Sequence, residues 1–355
     1  MTKRKLLILQ GSIPVYREKL FNLLGERYDL TIGYIQTSSV KTNSFKSEKV
    51  TFKKLGGVYL PTFSFLKLLL KFDVIIIMPD LHCINYCLIP FLPLKAKVLS
   101  FSIGFRASYR LLYNTKRRKT FKDYIFLFIL KKCDANIFYY SEPLKFWGKL
   151  LNKGNTFIAN NTLPVLEVEH QKDQKKSILF IGSLIEGKGI FDLLDAFNNA
   201  YKTSSIFKLK LNIVGDGPLR NKVQHFISKN RLDKIIQLKG SIYDEQILRD
   251  YFKEAIFCVS PNQAGLSVLK SFGYGVPFVT RIDSITGGEK YNILNGVNGI
   301  LYETKNELYD LISNAFSKLD GYYQMGIEAK EYYDKNLTVE SMKDNFIEAI
   351  EFNFK

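Results

Sequence analysis

The sequence predicts an α/β protein made of two doubly wound, Rossmann-like domains. Its 355 residues are too many for one ordinary compact domain. Short β-branched runs alternate with longer helical patterns, which is typical of parallel sheets covered by helices on both faces. A polar segment without apolar periodicity, VLEVEHQKDQKK at residues 165–176, separates two such series. We therefore predict domains at 1–165 and 166–337, and a C-terminal helix at 338–355 that packs back toward the first domain.

The first half contains six candidate strands, and the first of them follows the basic tip MTKRK. This apolar run is short and lacks a small-residue cleavage site, so we interpret it as a buried strand rather than a signal peptide. The apolar stretches at 84–94 and 124–130 contain Pro or fall far short of the ~20 residues that span a bilayer. We therefore expect a cytoplasmic protein that is soluble or peripheral on the membrane. The predicted strands are 5–10, 30–35, 74–78, 97–101, 135–138 and 156–158.

The second half contains six more candidate strands, each followed by a turn. Their sequences are SILFIGS, LKLNIVG, IIQLKG, IFCVSP, PFVTR and GILYE. Sheets of this kind bind ligands at the carboxyl ends of their strands. The last stretch is an amphipathic helix with Met342, Phe346, Ile347 and Ile350 on one side.

The positive charge is confined to the first half. The chain carries 51 Lys and Arg against 34 Asp and Glu, a net charge of +17. Residues 1–165 hold 27 basic and 9 acidic residues, a net +18, whereas 166–355 hold 24 and 25, a net −1. We expect the first domain to meet the anionic partner. The four cysteines have no metal-ligand spacing, which favours reduced thiols, and we expect no metal and no cofactor.

Glycine turns follow the strands of the second half. Gly182 and Ser183 open the turn GSLIEGKG, which includes Lys188, and Gly215, Gly217 and Pro218 belong to VGDGP. Glycine permits close backbone approach, and a helix N-terminus offers unpaired N–H groups to an anion, so such turns can hold phosphate. Each turn alone is equally compatible with a plain strand-to-helix connection.

A third element makes the pattern specific. The chain continues with SPNQAGLSVLKSFGYGVP at 260–277, then with GGE at 287–289 and NGVNG at 295–299. In this order the motifs resemble the family-4 retaining glycosyltransferases (glycosyl transferases group 1), which have the GT-B fold. The resemblance covers residues 177–302 and implies two Rossmann-like domains facing a central cleft.

The resemblance implies a nucleotide-sugar donor of UDP or GDP type on the second domain, an acceptor on the first, and transfer with retention. A departing nucleoside diphosphate needs cations and N–H groups at its phosphates. The resemblance therefore implies diphosphate contacts from Lys188 and from the N–H groups at the start of the 260–277 helix, and a base and ribose pocket beyond them. The residues concerned are Gly265, Leu266 and Ser267 for the diphosphate, and Gly215, Pro218, Gly240 and Ser241, with Lys270 and Ser271 nearby, for the nucleoside.

The chain departs from the family at three positions. The family usually has Arg at the position of Ser183, and two Glu residues where this chain has Asn262 and Lys270. We hypothesise that Lys270 supplies the positive charge of the missing Arg, because a lysine cannot accept hydrogen bonds from ribose as a carboxylate does. A solvated lysine on the helix and a non-catalytic relative are the alternatives.

The remaining candidates have simpler structural alternatives. Asp80 and His82 follow the strand VIIIM and are candidates for the cleft; Asp80 is either a catalytic or acceptor-orienting residue or the cap of the next helix. Tyr16 and Arg17 either contact the acceptor or begin the first helix. Glu289 either hydrogen-bonds the donor's hydroxyls or is an acid at a helix N-terminus.

The densest basic run, at 106–132, mixes cations with aromatic residues, which suits an anionic membrane surface. A lipid-linked, pyrophosphate-bearing acceptor accounts for both residue types. We therefore predict a bacterial glycosyltransferase, peripheral on the inner membrane face, that builds a surface polysaccharide on a lipid-linked oligosaccharide. A GT-B sugar-nucleotide epimerase and a basic nucleic-acid-binding protein are the alternatives, although no nucleic-acid-binding motif is present.

Overall fold

The computed structural model describes residues 3–36, 44–55, 58–80, 83–105, 117–169, 171–203, 208–352 and 354. They form two compact units. The first comprises the described residues up to Asn161 together with the C-terminal segment from Val339, and the second comprises Thr162–Thr338. The second unit thus begins three residues before the polar segment that marks the boundary in the sequence.

The first unit is built on a seven-stranded sheet in the order β3-β2-β1-β6-β7-β8-β9, with every neighbouring pair parallel. Apolar clusters cover both of its faces, as expected for a parallel sheet. Five of the seven strands consist mainly of buried residues. In contrast, all four side chains of β3 (KSEK) are exposed, and the sequence pattern did not predict this strand. The strands are β1 Lys5–Gln10, β2 Asp29–Tyr34, β3 Lys46–Lys49, β4 Lys53–Leu55, β5 Val58–Leu60, β6 Val74–Ile77, β7 Lys97–Ser102, β8 Ala135–Phe138 and β9 Thr156–Ile158, where β4 and β5 form a separate antiparallel pair. The helices are α1 Glu18–Arg27, α2 Phe63–Leu69, α3 Ile84–Leu88, α4 Phe121–Lys132 and α5 Glu142–Trp147.

The second unit repeats this design with six parallel strands in the order β12-β11-β10-β13-β15-β17. Its sheet also separates two apolar clusters. The strands are β10 Ser177–Ile181, β11 Lys210–Val214, β12 Ile236–Gly240, β13 Ala255–Val259, β14 Gln263–Ala264, β15 Phe278–Arg281, β16 Ile285–Thr286 and β17 Gly299–Tyr302, where β14 and β16 form a short parallel pair. The helices are α6 Ile190–Thr203, α7 Arg220–Lys229, α8 Glu245–Glu254, α9 Leu266–Gly273, α10 Lys305–Ser313 and α11 Leu319–Asn336.

The last helix, α12 (Val339–Phe352), belongs to the first unit. Its buried residues lie at helical spacing and include Met342, Phe346 and Ile350. The Phe346 ring packs edge-on against Phe101 of β7, with 4.7 Å between ring centroids. The amphipathic pattern of the C-terminal stretch therefore reflects burial against the first sheet.

Each sheet has a point where the strand order reverses, between β1 and β6 in the first and between β10 and β13 in the second. Ligands of doubly wound folds bind at the carboxyl ends of the strands that flank such a point. The fold class predicted from the sequence, two doubly wound α/β domains, is confirmed.

Candidate functional site

The predicted glycine turns meet at the reversal point of the second sheet. Gly182 follows β10, and Gly215 follows its neighbour β11. A β-carbon at Gly215 would lie 1.9 Å from the Gly182 carbonyl oxygen, and the φ of Gly215 is +148°. Gly217 also has too little room for a side chain, because its β-carbon would lie 2.6 Å from the Leu184 carbonyl oxygen. Only glycine fits where these two turns pack backbone to backbone.

Lys188 brings a positive charge to this point. It ends a 3₁₀ turn, Glu186–Lys188, and is half-buried. Its Nζ lies 3.6 Å from the position a β-carbon would take at Gly182 and 4.0 Å from that position at Gly265. Burial lowers the pKa of Lys188, while the charge of Glu289 acts in the opposite direction. The predicted diphosphate cation thus lies beside the turn after β10 and the start of α9.

Glu289 belongs to the same site. It is only 8% exposed, and its Oε2 lies 3.5 Å from the hydroxyl of Thr286. That hydroxyl accepts hydrogen bonds from the N–H groups of Gly288 and Lys290, at 3.0 and 3.1 Å, which fixes the turn. The charge of Glu289 acts on the pKa of Lys188, so the two side chains lie within electrostatic range of each other.

Asn262 and the start of α9 complete this side of the site. The Asn262 N–H donates to the Lys188 carbonyl oxygen at 3.3 Å, and its carbonyl oxygen accepts from Ile285 N–H at 2.8 Å. The Asn262 Oδ1 and the Ser267 Oγ are buried without a hydrogen-bond partner. Gly265 and Leu266 stand at the start of the helix, where backbone N–H groups lack helical acceptors. These polar groups are candidates for ligand contacts.

Two residues of α9 have roles that the sequence did not predict. The Nζ of Lys270 is ion-paired with the carboxylate of Glu245 on α8, which also accepts a 2.8 Å hydrogen bond from the Tyr274 hydroxyl. Ser271 is fully buried, and its hydroxyl donates to the Val276 carbonyl oxygen at 2.7 Å. The Ser271 hydroxyl thus holds the end of α9, and the placement of Ser271 near the nucleoside stays a prediction.

Arg220 is a further candidate at the opposite end of the glycine turns. Gly215 N–H donates to the Gly240 carbonyl oxygen at 2.8 Å, which places Gly240 and the following Ser241 beside the VGDGP turn. The Arg220 Nη1 lies 3.4 Å from the position of a β-carbon at Gly240 and is buried without a hydrogen-bond partner. The closest carboxylate oxygen to its Nη1, on Asp216, is 3.7 Å away. In the sequence, Arg220 could have been identified as a candidate by its position two residues after Pro218 of the VGDGP turn.

The other predicted positions of the second unit are more exposed. Ser183, Pro218 and Ser241 are exposed, and Ser183 carries no positive charge in place of the family's Arg. They lie at the turns that follow β10, β11 and β12. The structure thus places them at the predicted edge of the sheet.

Asp80 lies in the first unit. It is exposed, and its backbone carbonyl oxygen accepts hydrogen bonds from the Cys83 N–H, at 2.8 Å, and from the Cys87 Sγ, at 3.3 Å. These contacts fix the turn between β6 and α3, and His82, the other candidate of this turn, lies outside the described residues. The N-cap of α3 is Cys83, so the interpretation of Asp80 as the cap of that helix is wrong, and its catalytic or acceptor-orienting role stays a prediction.

The basic run of the first unit forms a distinct surface on α4. The described part of this run begins at Arg117, because residues 106–116 lie outside the described part of the chain. Arg117 makes a bidentate ion pair with the buried Asp123, at 2.6 and 2.7 Å, so its charge is compensated. The exposed face of α4 is apolar, and basic residues flank it at both ends. We call this surface the α4 stripe, consisting of Phe121 (80% exposed), Tyr124 (49%), Ile125 (39%) and Phe128 (55%), flanked by Arg118, Lys119, Lys122, Lys131 and Lys132.

The described residues contain neither a metal-binding cluster nor a membrane-spanning helix. No group of three or more His, Cys, Asp or Glu side chains is arranged to hold a metal ion there. Within the same residues, no helix has the length and apolar character needed to cross a bilayer.

Comparisons with known proteins agree with the geometry. Residues 175–318 match the family model described as Glycosyl transferases group 1. An uncharacterized glycosyltransferase of Methanocaldococcus jannaschii is 27% identical over 146 residues, which are 38% of this chain and 38% of that relative. The match thus covers well under half of the relative's length.

Solved structures match over nearly the whole chain. HepE of Anabaena in complex with UDP has a TM-score of 0.72 and 13% identity, over 98% of this chain and 100% of that one. The lipopolysaccharide outer core galactosyltransferase WaaB has a TM-score of 0.68 and 15% identity, over 98% and 99%. The chain has the GT-B fold, and its predicted resemblance to GT-B glycosyltransferases is confirmed; the assignment to family 4 stays a prediction.

Proposed function

We propose that this GT-B protein is a glycosyltransferase that takes its sugar from a nucleotide-sugar donor bound to the second unit. One observation carries the proposal: Lys188 stands beside the glycine turn after β10 and the start of α9, at the reversal point of the sheet. The match to group 1 glycosyltransferases covers these residues. UDP bound to the structurally similar HepE supports a UDP-type donor, with GDP as the other candidate.

The site's own groups suit the departure of a nucleoside diphosphate. As the bond from the anomeric carbon to the diphosphate breaks, negative charge grows on the phosphate oxygens. Lys188 and the N–H groups of Gly265, Leu266 and Ser267 then stabilise that charge. The oxygen of an acceptor hydroxyl forms the new bond to the anomeric carbon, and its proton passes to the departing diphosphate. We propose that Glu289 hydrogen-bonds the sugar, and that the transfer proceeds with retention.

The pair formed by Lys270 and Glu245 modifies the role proposed for Lys270. While Lys270 is ion-paired with Glu245, the carboxylate compensates the positive charge of the lysine. We propose that Glu245 accepts hydrogen bonds from the donor's ribose hydroxyls and thereby releases Lys270 toward the diphosphate. Glu245 would then supply a carboxylate close to the position at which the family has one.

Ligand-induced stabilisation tests this proposal. We expect UDP or GDP conjugates to raise the melting temperature of the full chain, whereas CMP conjugates do not; saturation at about 100 times Kd corresponds to about 2.7 kcal/mol. Lys188→Gln should abolish the shift, and Lys270→Gln should reduce it. Lys222→Gln is the matched control, because Lys222 is an exposed lysine of α7. Equal shifts in the Lys188→Gln and Lys222→Gln variants would refute the assignment.

We further propose that the first unit binds the inner face of a bacterial membrane and takes a lipid-linked acceptor, as in surface polysaccharide synthesis. The α4 stripe supports this, because an apolar surface flanked by cations suits an anionic bilayer. The net charge of +18 within residues 1–165 adds a longer-range attraction. Co-sedimentation with anionic vesicles tests the proposal, with failure to sediment as the contradicting result.

A further inference from the structure

The first unit contains a buried arginine without a carboxylate partner. Arg17 is 5% exposed, directly before α1 and six residues after Gly11, which follows β1. No Asp or Glu oxygen of the described residues forms an ion pair with it, and none of the residues outside the described ranges is Asp or Glu. A guanidinium stays charged at all physiological pH values, so this is an uncompensated buried cation. Burying a charge in this way is costly unless an opposite charge pairs with it.

The immediate surroundings of Arg17 hold the guanidinium without neutralising it. Its Cζ lies 4.8 Å from the ring centroid of Phe101, 5.2 Å from that of Tyr139 and 5.5 Å from that of Tyr16. Its Nη2 donates to the Asn161 Oδ1 at 3.3 Å. Aromatic faces and an amide oxygen offset part of the desolvation cost, but they carry no net charge.

One nitrogen of the guanidinium is left over. The Nη1 of Arg17 is buried and has no hydrogen-bond partner. The Gln10 Nε2, at the carboxyl end of β1, is also buried without a partner. Native structures rarely leave such donors unpaired, and two unpaired donors at the end of one strand and the start of the next helix need an acceptor.

The cluster around Arg17 extends from the core to the surface of the unit. Phe101 is fully buried, whereas Tyr16, Tyr139 and Asn161 are half-buried. The cluster stands at the carboxyl end of β1, a strand that flanks the reversal point of the first sheet. That edge is where doubly wound sheets bind ligands.

We propose that Arg17 is an oxyanion-binding residue of the first unit, and that it pairs with a phosphate or carboxylate group of the acceptor. The assignment to the acceptor rests on the proposed glycosyltransferase function. A planar guanidinium binds such groups through two parallel hydrogen bonds, for which Nη1 is available. Arg17 belongs to the first unit, whereas Lys188 belongs to the second.

Anion-dependent thermal unfolding of the full chain tests this site. The Lys188→Gln background removes phosphate binding at the donor site, and inorganic phosphate, acetate and chloride are compared at equal ionic strength. We expect phosphate to stabilise this background, with acetate reporting whether carboxylates bind as well. Adding Arg17→Gln should weaken phosphate binding at least tenfold, about 1.4 kcal/mol. Adding Arg17→Lys, which keeps the charge but loses the paired geometry, should weaken it less.

The controls separate this site from a structural role. Arg27→Gln removes one charge from the exposed end of α1 and should leave phosphate binding unchanged. Undiminished phosphate stabilisation in the Arg17→Gln or Arg17→Lys background would overturn the proposal, and the Arg17→Lys variant provides this result if Arg17→Gln fails to fold. Loss of the UDP response in the wild type, with Arg17-dependent phosphate binding intact, would instead refute only the donor assignment.

Discussion

Removing the two most exposed rings of the α4 stripe should weaken membrane binding about a hundredfold. Phe121 and Phe128 are 80% and 55% exposed, which corresponds to roughly 270 Å² of apolar surface if a phenylalanine buries about 200 Å². At about 25 cal/mol per Å², full transfer out of water contributes about 7 kcal/mol. A helix lying in the interface buries only part of that surface, so we expect about 3 kcal/mol. The change is Phe121→Gln with Phe128→Gln.

The assay is sedimentation with vesicles of anionic and of zwitterionic lipid over a range of salt concentrations. The double variant should lose affinity for anionic vesicles, and salt should weaken what remains, because each flanking Lys or Arg contributes about 1 kcal/mol. Tyr243→Gln is the matched control, since Tyr243 is 89% exposed but lies in the second unit. Equal affinities for the double variant and the control would show that the stripe is not the contact surface.

Two further predictions concern stability. Gly215→Ala should destabilise the chain by several kcal/mol, because its β-carbon would lie 1.9 Å from a carbonyl oxygen. Gly321→Ala in the exposed part of α11, with nothing within 4 Å, should stabilise it by up to about 1 kcal/mol, and urea unfolding measures both. Lys175 is 5% exposed with one hydrogen bond, to the Phe252 carbonyl oxygen, and burial lowers its pKa from 10.5 to about 8. The pKa of Lys175 is lower in the folded state than in the unfolded state, so burial of its charged amine destabilises the fold fully below pH 8 and not at all above pH 10.5. Lys175→Met should therefore stabilise the protein by about 3 kcal/mol at pH 7 and by nothing at pH 11. A pH-independent gain would contradict the assignment to charge burial.

The parts of the fold that sequence could predict are those set by local pattern. The buried strands were found because parallel strands covered on both faces are continuous β-branched runs. The glycine turns were found because their backbone conformations and close contacts exclude residues with a side chain, as at Gly215. In contrast, β3 is a charged edge strand, and its pairing with β2 leaves no trace in hydrophobic periodicity.

Contacts between distant segments lay beyond the reach of such patterns. Lys270 meets Glu245 from another helix, 25 residues earlier, and nothing local to either residue indicates the pair. The apolar residues of α4 resemble a buried segment, because a helix that is apolar all round has no period to show which face packs. Only the structure separates Phe126 and Ile129, which are buried, from Phe121 and Phe128, which are not.

The balance of charge in the two units supports different partners for them. In the second unit, the candidate cation Lys188 has a carboxylate, Glu289, in electrostatic range. In the first unit, no carboxylate of the described residues forms an ion pair with Arg17, which contacts aromatic residues and an amide, and most of the cations that flank the α4 stripe are exposed. Uncompensated positive charge is costly in a buried position, and it is repulsive when crowded on a surface. Both costs fall when an anion binds, and this is the electrostatic reason for proposing an anionic acceptor and an anionic membrane as partners of the first unit.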